Sequence, residues 1–283
     1  MVYDVDYREV AGAAVDTAYT MTAKGADTPG AFVVPTTASR ITELRLKLGG
    51  IAATDGVFGM TWGVHLYGSG IQLSEGWFAG NAYSCSGAAA TSGGQQTDKG
   101  MIYKTNIPVR PGGLFNADAF FWGEDTGTAQ ACLVVVYDGV PGKIVDGDVR
   151  EVDIGAAANT LVTLANRGAA VAEGDFRPGY TRIVEIVAGA APDPTGDAAN
   201  GLNFGPTFQL SGPGLLHAGN YSFAGNWGMM MPDTDVSGDQ TAFHLLDRYE
   251  CEIAVKRGDS IRAQAQNIES IQAGHAVIGF LYG

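Results

Sequence analysis

The 283-residue chain is 46% hydrophobic and only 17% charged, and its 41 glycines are about twice the usual globular share. Charge this sparse excludes a chain kept disordered by charge excess, and the shortage of Leu, Glu and Lys heptads excludes a coiled coil. The net charge of −13 repels phosphate backbones, so we expect no direct binding of nucleic acid. Abundant Gly with Val, Thr, Phe and Tyr predicts an all-β protein with tight turns.

The chain carries no recognisable targeting or cross-linking pattern. Its first ten residues contain Asp4, Asp6 and Glu9 where a signal peptide needs basic and apolar residues. We also find no apolar run long enough for a transmembrane helix. The three cysteines are far apart and form no CxxC pair, so neither a disulfide framework nor a zinc site is expected.

Strand patterns follow one another through the first half. The segment 41–48 alternates apolar and basic residues, and Gly, Asn and Pro clusters separate it from the next apolar runs. The predicted strands are 41–48, 57–66, 101–109, 114–121 and 129–137.

A similar series fills the second half. The predicted strands there are 161–164, 183–187, 204–210, 245–255, 261–266 and 275–282. Seven or eight short strands in about 140 residues are typical of a β-sandwich or jelly roll.

The two halves repeat one another in sequence. The segment 12–26 matches 155–169 at seven of fifteen positions, and five further blocks follow in the same order. Arg40 corresponds to Arg182, Tyr103 corresponds to Tyr249, and the letters FAGN at 78–81 recur at 223–226. We therefore predict two tandem, internally duplicated jelly-roll domains, residues 1–142 and 143–283.

Four glycines in the repeated blocks are predicted to be structural. Gly80 and Gly225 precede asparagine in the FAGN blocks, which indicates either a positive φ or a close approach of backbone. Gly112 and Gly258 follow the predicted strands 101–109 and 245–255, where a tight turn needs glycine.

Signatures of catalysis are missing from the chain, and we expect it not to be an enzyme: GxSxG, HExxH, P-loop and GxGxxG patterns do not occur. The best metal candidate is a weak calcium loop at Asp233, Asp235 and Asp239, whose twelfth position is His244 instead of a bidentate glutamate. A solvated acidic loop is the competing interpretation, and we expect no other cofactor.

The length, the duplication and the number of strands together resemble the double jelly-roll capsid proteins of the adenovirus and tailless, membrane-containing phage lineage. That resemblance implies a virion protein, made in the host cytoplasm, that forms a homotrimeric, pseudo-hexameric capsomer and contacts other virion proteins. It transfers no functional residue. The short, acidic start departs from the family's helical, often basic N-terminal segment.

Two other interpretations stay open. The departure at the N-terminus favours an outer decoration or turret protein of a tailed-virus head. A tandem carbohydrate-binding or adhesin module would instead use exposed aromatic side chains such as Trp77 and Trp227.

Overall fold

The computed structural model describes residues 4–12, 16–23, 30–52, 58–86, 100–124, 128–154, 160–164, 174–192, 202–204, 206–216, 221–224, 228–230, 240–244, 246–267 and 274–283. Every regular element in these ranges is a β-strand, so the predicted all-β fold is confirmed. None of the described segments forms a helix long and apolar enough to cross a membrane.

The first half of the chain contains the strands β1 to β11. They are β1 Asp4–Gly12, β2 Tyr19–Thr20, β3 Thr22–Ala23, β4 Phe32–Val33, β5 Arg40–Ala52, β6 Phe58–Tyr67, β7 Trp77–Ala79, β8 Ala82–Ser86, β9 Met101–Pro108, β10 Leu114–Glu124 and β11 Thr128–Tyr137.

The second half contains the strands β12 to β22. They are β12 Asp146–Ile154, β13 Val162–Thr163, β14 Arg182–Pro192, β15 Leu202–Phe204, β16 Pro206–Ser211, β17 Tyr221–Ala224, β18 Gly228–Met230, β19 Gln240–His244, β20 Asp247–Ala254, β21 Arg262–Asn267 and β22 Gly274–Tyr282.

These strands pair into four antiparallel sheets and a short ribbon. Sheet 1 has the order β3-β1-β11-β5-β9, and sheet 2 has the order β19-β8-β6-β10-β2 with β4 and β7 attached. Sheet 3 has the order β12-β22-β14-β20, sheet 4 has the order β13-β21-β16-β17, and β15 pairs with β18. All strand pairings in the sheets are antiparallel.

The order of strands within each half is that of a jelly roll. In the first half, β1, β11, β5 and β9 form one layer, while β2, β10, β6 and β8 form the layer that faces it. In the second half, β12, β22, β14 and β20 form the first layer and β13, β21, β16 and β17 the second. In both, the first strand lies beside the last one, as two Greek keys require.

The four sheets stack in the order in which they are numbered. One core cluster contains buried side chains of sheets 1 and 2 together with one face of sheet 3, including Val187 and Val277. A second cluster contains the opposite face of sheet 3, including Ile186 and Ile278, together with sheet 4. Sheets 2 and 3 therefore form the middle of the molecule, and sheets 1 and 4 lie at its two ends.

The last strand of each half shows how its sequence encodes this stacking. In β11 buried residues alternate with half-buried ones, because sheet 1 has one covered face and one open face. In β22 every residue is buried, because sheet 3 has neighbours on both faces. A continuous apolar run is what such a doubly covered strand requires.

The longest strands that sequence analysis missed are β1 and β12, because charged residues hide their periodicity; it also missed several short strands, such as β8 and β17. Arg8 lies 4.4 Å from the centre of the Phe32 ring and 3.1 Å from a carboxylate oxygen of Asp6. Arg150 lies 6.0 Å from the centre of the Phe176 ring and 3.2 Å from Asp148. A cation over an aromatic face and beside a carboxylate can be buried without losing its electrostatic partners.

The division of the chain at residues 142 and 143 stays a prediction. The strands fall on either side of it, but β19 from the second half pairs with β8 from the first. The first core cluster also takes side chains from both halves. The two halves are therefore joined by more than the chain that links them.

Candidate assembly surfaces

Small residues bring sheets 2 and 3 together inside the molecule. A Cβ placed on Gly279 in β22 would lie 2.6 Å from Cγ2 of Val187 and 3.7 Å from Cβ of Ala79 in sheet 2. A Cβ on Gly147 in β12 would lie 2.4 Å from the Trp77 carbonyl oxygen. Val187 lies directly opposite Gly279 within sheet 3, and the distance from Gly279 to Ala79 is an ordinary van der Waals contact. Glycine at position 147 is therefore what lets the backbones of the two halves approach closely.

An aromatic stack lies on the sheet 2 side of this contact. The Trp77 ring stacks on His65 at a centroid distance of 4.3 Å and tilts against Phe120 at 4.8 Å. Trp62, Trp77 and Trp122 are all buried, so the glycan-binding role suggested for Trp77 is wrong. Trp227 lies outside the described residues.

The carboxylate of Asp146 binds the backbone of a loop in the first half. Asp146 is the first residue of β12 and is fully buried. It accepts hydrogen bonds from the backbone N–H groups of Ser74, Glu75, Gly76 and Gly147 at 2.6, 3.1, 2.8 and 2.8 Å, and from the Tyr180 hydroxyl at 2.9 Å. Burial and this carboxylate together raise the pKa of Tyr180 to about 12.

The tyrosines that recur in the two halves have the same role in the structure. The Tyr103 hydroxyl donates to the Ala79 carbonyl at 2.6 Å, and the Tyr249 hydroxyl donates to the Ala224 carbonyl. Each tyrosine ring also tilts against the phenylalanine of its FAGN block, at 5.5 Å for Phe78 and 5.4 Å for Phe223. The repeated letters therefore encode a repeated contact between the two layers of each jelly roll.

Removing the Tyr103 hydroxyl should lower the free energy of unfolding more than removing the Tyr249 hydroxyl does. Tyr103 is buried, so Tyr103→Phe takes a donor from a carbonyl that water cannot reach, and we expect a loss of about 1–2 kcal/mol. Ala224 is exposed, so water replaces the donor in Tyr249→Phe and the loss should stay below about 0.5 kcal/mol. Urea denaturation of both variants measures the difference, and equal losses would contradict this account.

The open face of sheet 1, which we call the sheet 1 outer face, has an apolar centre. Val5 is 56% exposed and lies opposite Val136. Val134 and Cys132 continue the stripe along β11, with alternate residues turned into the core. This stripe runs across the middle of the sheet.

Charged side chains border the stripe on the β5 side. Burial alone would raise the pKa of Glu43, but its ion pairs with Lys104 and Arg45 outweigh burial and lower the pKa. The carboxylate is thus kept charged beside two exposed basic side chains. The result is an apolar stripe with a polar rim, as protein–protein interfaces have.

The open face of sheet 4, which we call the sheet 4 outer face, is uncharged and polar at its centre. Gln209 lies opposite Gln264 in β21 and opposite Ser222 in β17, and Thr207 lies opposite Gln266. The residues between them, such as Phe208 and Ala265, are buried in the second core. Amides and hydroxyls of this kind can donate and accept hydrogen bonds to a neighbouring chain.

Three of the four predicted structural glycines lie among the described residues, in two different environments. Gly80 packs its backbone on the Trp62 indole, and its N–H donates to the Trp62 carbonyl at 2.7 Å. Gly112 and Gly258 have φ angles of +70° and +80°, and a Cβ at either would meet no atom within 4 Å. Gly225 lies outside the described residues.

The candidate calcium ligands Asp233, Asp235 and Asp239 also lie outside the described residues. Of the described residues, the structure brings Glu151, Asp153 and His275 together instead. Sequence analysis missed both this group and Asp146, because the partners are far apart in the chain and share no motif.

Comparisons with known proteins find low similarity to solved structures and none to protein families or curated proteins. No protein-family model and no curated protein matches the chain. A cryo-electron microscopy structure of the T=1 particle of Penaeus vannamei nodavirus is similar at 7% sequence identity and a TM-score of 0.21, over 100% of this chain and 99% of that one.

Proposed function

We propose that the protein is a structural protein of a virion and that its two halves are copies of one jelly roll. The stacking of its sheets carries this proposal. The second layer of the first jelly roll, sheet 2, packs against the first layer of the second, sheet 3. The same kind of contact can therefore be made again between chains.

The two layers left without such a partner are sheets 1 and 4. Sheet 1 is the first layer of its jelly roll, like sheet 3, and sheet 4 is the second layer, like sheet 2. Joining the sheet 1 outer face of one chain to the sheet 4 outer face of the next gives a head-to-tail contact. Such a contact closes into a ring when its rotation permits.

Three chains closing in this way would place six jelly rolls around one axis. This is the pseudo-hexameric homotrimer that the resemblance to double jelly-roll capsid proteins implies, and other virion proteins would contact its rim. The apolar stripe of Val5, Val134 and Val136 and the amides of sheet 4 supply the two sides of the contact. In this proposal the protein acts through the packing of its β-sheets against neighbouring chains and not through catalysis.

The oligomeric state of the purified chain tests the proposal. We expect light scattering to give three times the mass of the chain at micromolar concentration, and negative-stain microscopy to show rings or shells. A stable monomer would contradict a capsomer. A monomer that binds preformed tailed-virus heads would instead support the decoration role.

A charge placed in the sheet 1 outer face should prevent assembly without unfolding the chain. In Val134→Lys the ammonium can reach water in the monomer, but it would be buried in the contact between chains. We expect the trimer–monomer midpoint concentration to rise at least about tenfold, which for a trimer corresponds to roughly a 100-fold larger dissociation constant, or about 2.7 kcal/mol per trimer.

Val33→Lys is the matched control, because Val33 is 62% exposed and belongs to β4 at the side of sheet 2. It should leave both the melting temperature and the assembled fraction unchanged. If Val33→Lys dissociated the trimer and Val134→Lys did not, the proposed contact would be wrong even though the protein assembled.

A further inference from the structure

Three metal-ligating side chains meet at one corner of sheet 3. Glu151 and Asp153 are two residues apart in β12 and so share a face of the strand. His275 in β22 lies directly opposite Asp153, and its Nδ1 is 2.5 Å from Asp153 Oδ1. One potential ligand atom from each of the three lies within 4.8 Å of the other two.

The three side chains differ in their access to water. Glu151 and His275 are each only 3% exposed, whereas the Asp153 side chain is 76% exposed. Two ligands are therefore held rigidly by the packing of sheets 2 and 3, and the third stands at the surface. A cation can reach such a cluster from solvent through its exposed member.

The first half provides an internal comparison. Glu9 occupies in β1 the place that Glu151 occupies in β12, one residue after the buried arginine. Its carboxylate accepts hydrogen bonds from the Tyr7 hydroxyl at 2.8 Å and from Gln130 Nε2 at 3.3 Å. Gln130 lies opposite Ala11, as His275 lies opposite Asp153.

The second half therefore differs from the first in the chemistry around this glutamate. It has aspartate in place of Ala11 and histidine in place of Gln130. A carboxylate and an imidazole are metal ligands, whereas a methyl group and an amide nitrogen are not. Both replacements convert a hydrogen-bonded glutamate into part of a donor set for a cation.

From this geometry we infer that Glu151, Asp153 and His275 bind a zinc ion, with a water molecule as the fourth ligand. One imidazole nitrogen with carboxylate oxygens suits Zn²⁺, whereas Ca²⁺ takes six to eight oxygen ligands, roughly. Ligand atoms of a tetrahedral site with bonds of about 2.0–2.1 Å are separated by roughly 3.3 Å. To reach that spacing, ligand atoms now up to 4.8 Å apart would approach by about 1.5 Å at most, and the Asp153–His275 pair at 2.5 Å would open by about 0.8 Å.

Such an ion would connect β12 to β22, the first and last strands of the second half. Because Glu151 and His275 lie on the face of sheet 3 that meets sheet 2, zinc would strengthen the contact between the two jelly rolls. This inference does not depend on what the assembled protein does.

The test uses the full chain, freed of any affinity tag and dialysed against EDTA. Isothermal titration with ZnCl₂ should show one site per chain with a micromolar or lower Kd, and CaCl₂ should give no heat at the same concentrations. At a free zinc concentration 100-fold above Kd, the melting temperature should rise by about 5 °C. Elemental analysis after gel filtration gives the stoichiometry independently.

Three variants locate the ion. Asp153→Asn changes an exposed side chain, so it should fold normally, bind zinc at least tenfold more weakly and lose most of the thermal shift. His275→Gln should do the same where circular dichroism shows that it is folded. Glu9→Gln, the matched change in the first half, should leave zinc binding unchanged.

Each contrary result would overturn the inference. Absence of zinc binding at 100-fold excess over the protein would do so, as would calcium binding in preference to zinc. Unchanged affinity in Asp153→Asn would place the ion elsewhere. If Glu9→Gln lost as much zinc affinity as Asp153→Asn, the zinc site would not be specific to the second half.

Discussion

Gly80→Val should destabilise the protein by about 2–3 kcal/mol and lower the fraction that assembles, because there is no room for a side chain at this position. A Cβ on Gly80 would lie 2.0 Å from Cε2 and 2.2 Å from Nε1 of the Trp62 indole. Trp62 is fully buried in the first core, so its ring cannot move aside without disturbing the packing between sheets 1 and 2.

Gly30→Val is the matched control for this prediction. A Cβ on Gly30 would meet no atom within 4 Å, and its φ is not in the left-handed region. We expect Gly30→Val to change the free energy of unfolding by less than about 0.5 kcal/mol in urea denaturation. Equal stability of the two variants would mean that the close approach to Trp62 does not restrict residue 80.

The environment of Gly80 could be predicted from the sequence only in part. Its repetition beside asparagine in two FAGN blocks indicated a backbone constraint, either a positive φ or a close approach. The structure has the close approach, and the atom that causes it belongs to Trp62, eighteen residues away. The repeat identifies a constrained position, but it does not identify the residue that constrains it.

Strands with regular alternation were predictable, and polar strands were not. The pattern of Leu44, Leu46 and Leu48 placed β5 correctly, and the apolar run before Tyr282 placed β22. In β12 the residues Asp146 and Arg150 are buried, so neither side of the strand has the apolar period on which strand prediction depends. Their partners are a loop amide and an aromatic ring from other elements.

The candidate sites show the same limit. The proposed zinc ligands come from two strands that are more than a hundred residues apart in the chain and become neighbours only when β22 pairs with β12. The calcium candidate was a contiguous motif, which is the only kind of site that a single sequence displays directly. Pairing of the first strand with the last, which is a property of the jelly roll, creates sites that sequence motifs cannot reveal.

Asp146→Ala should be the most destabilising of the substitutions considered, at about 3–4 kcal/mol. The substitution removes a buried carboxylate that accepts hydrogen bonds from three consecutive backbone N–H groups, at Ser74, Glu75 and Gly76. Hydrogen bonds to a charged group contribute about 1.5–3 kcal/mol each, and buried donors left unpaired cost about 1–3 kcal/mol. Urea denaturation measures this loss of unfolding free energy.

Asp4→Ala is the matched change in the first half, and it separates folding from assembly. Asp4 lies opposite Tyr137 in β1 as Asp146 lies opposite Tyr282 in β12, but Asp4 is exposed. Its loss should therefore change the unfolding free energy of the monomer by less than about 0.5 kcal/mol. In the proposed ring, however, Asp4 would hold a loop of the neighbouring chain as Asp146 holds residues 74–76. The trimer–monomer midpoint concentration should therefore rise at least about tenfold, which for a trimer is about 2.7 kcal/mol. Normal assembly of Asp4→Ala would contradict the proposal that the contact between sheets 2 and 3 is repeated between chains. Wild-type stability of Asp146→Ala would contradict the role of Asp146 in holding residues 74–76 within one chain.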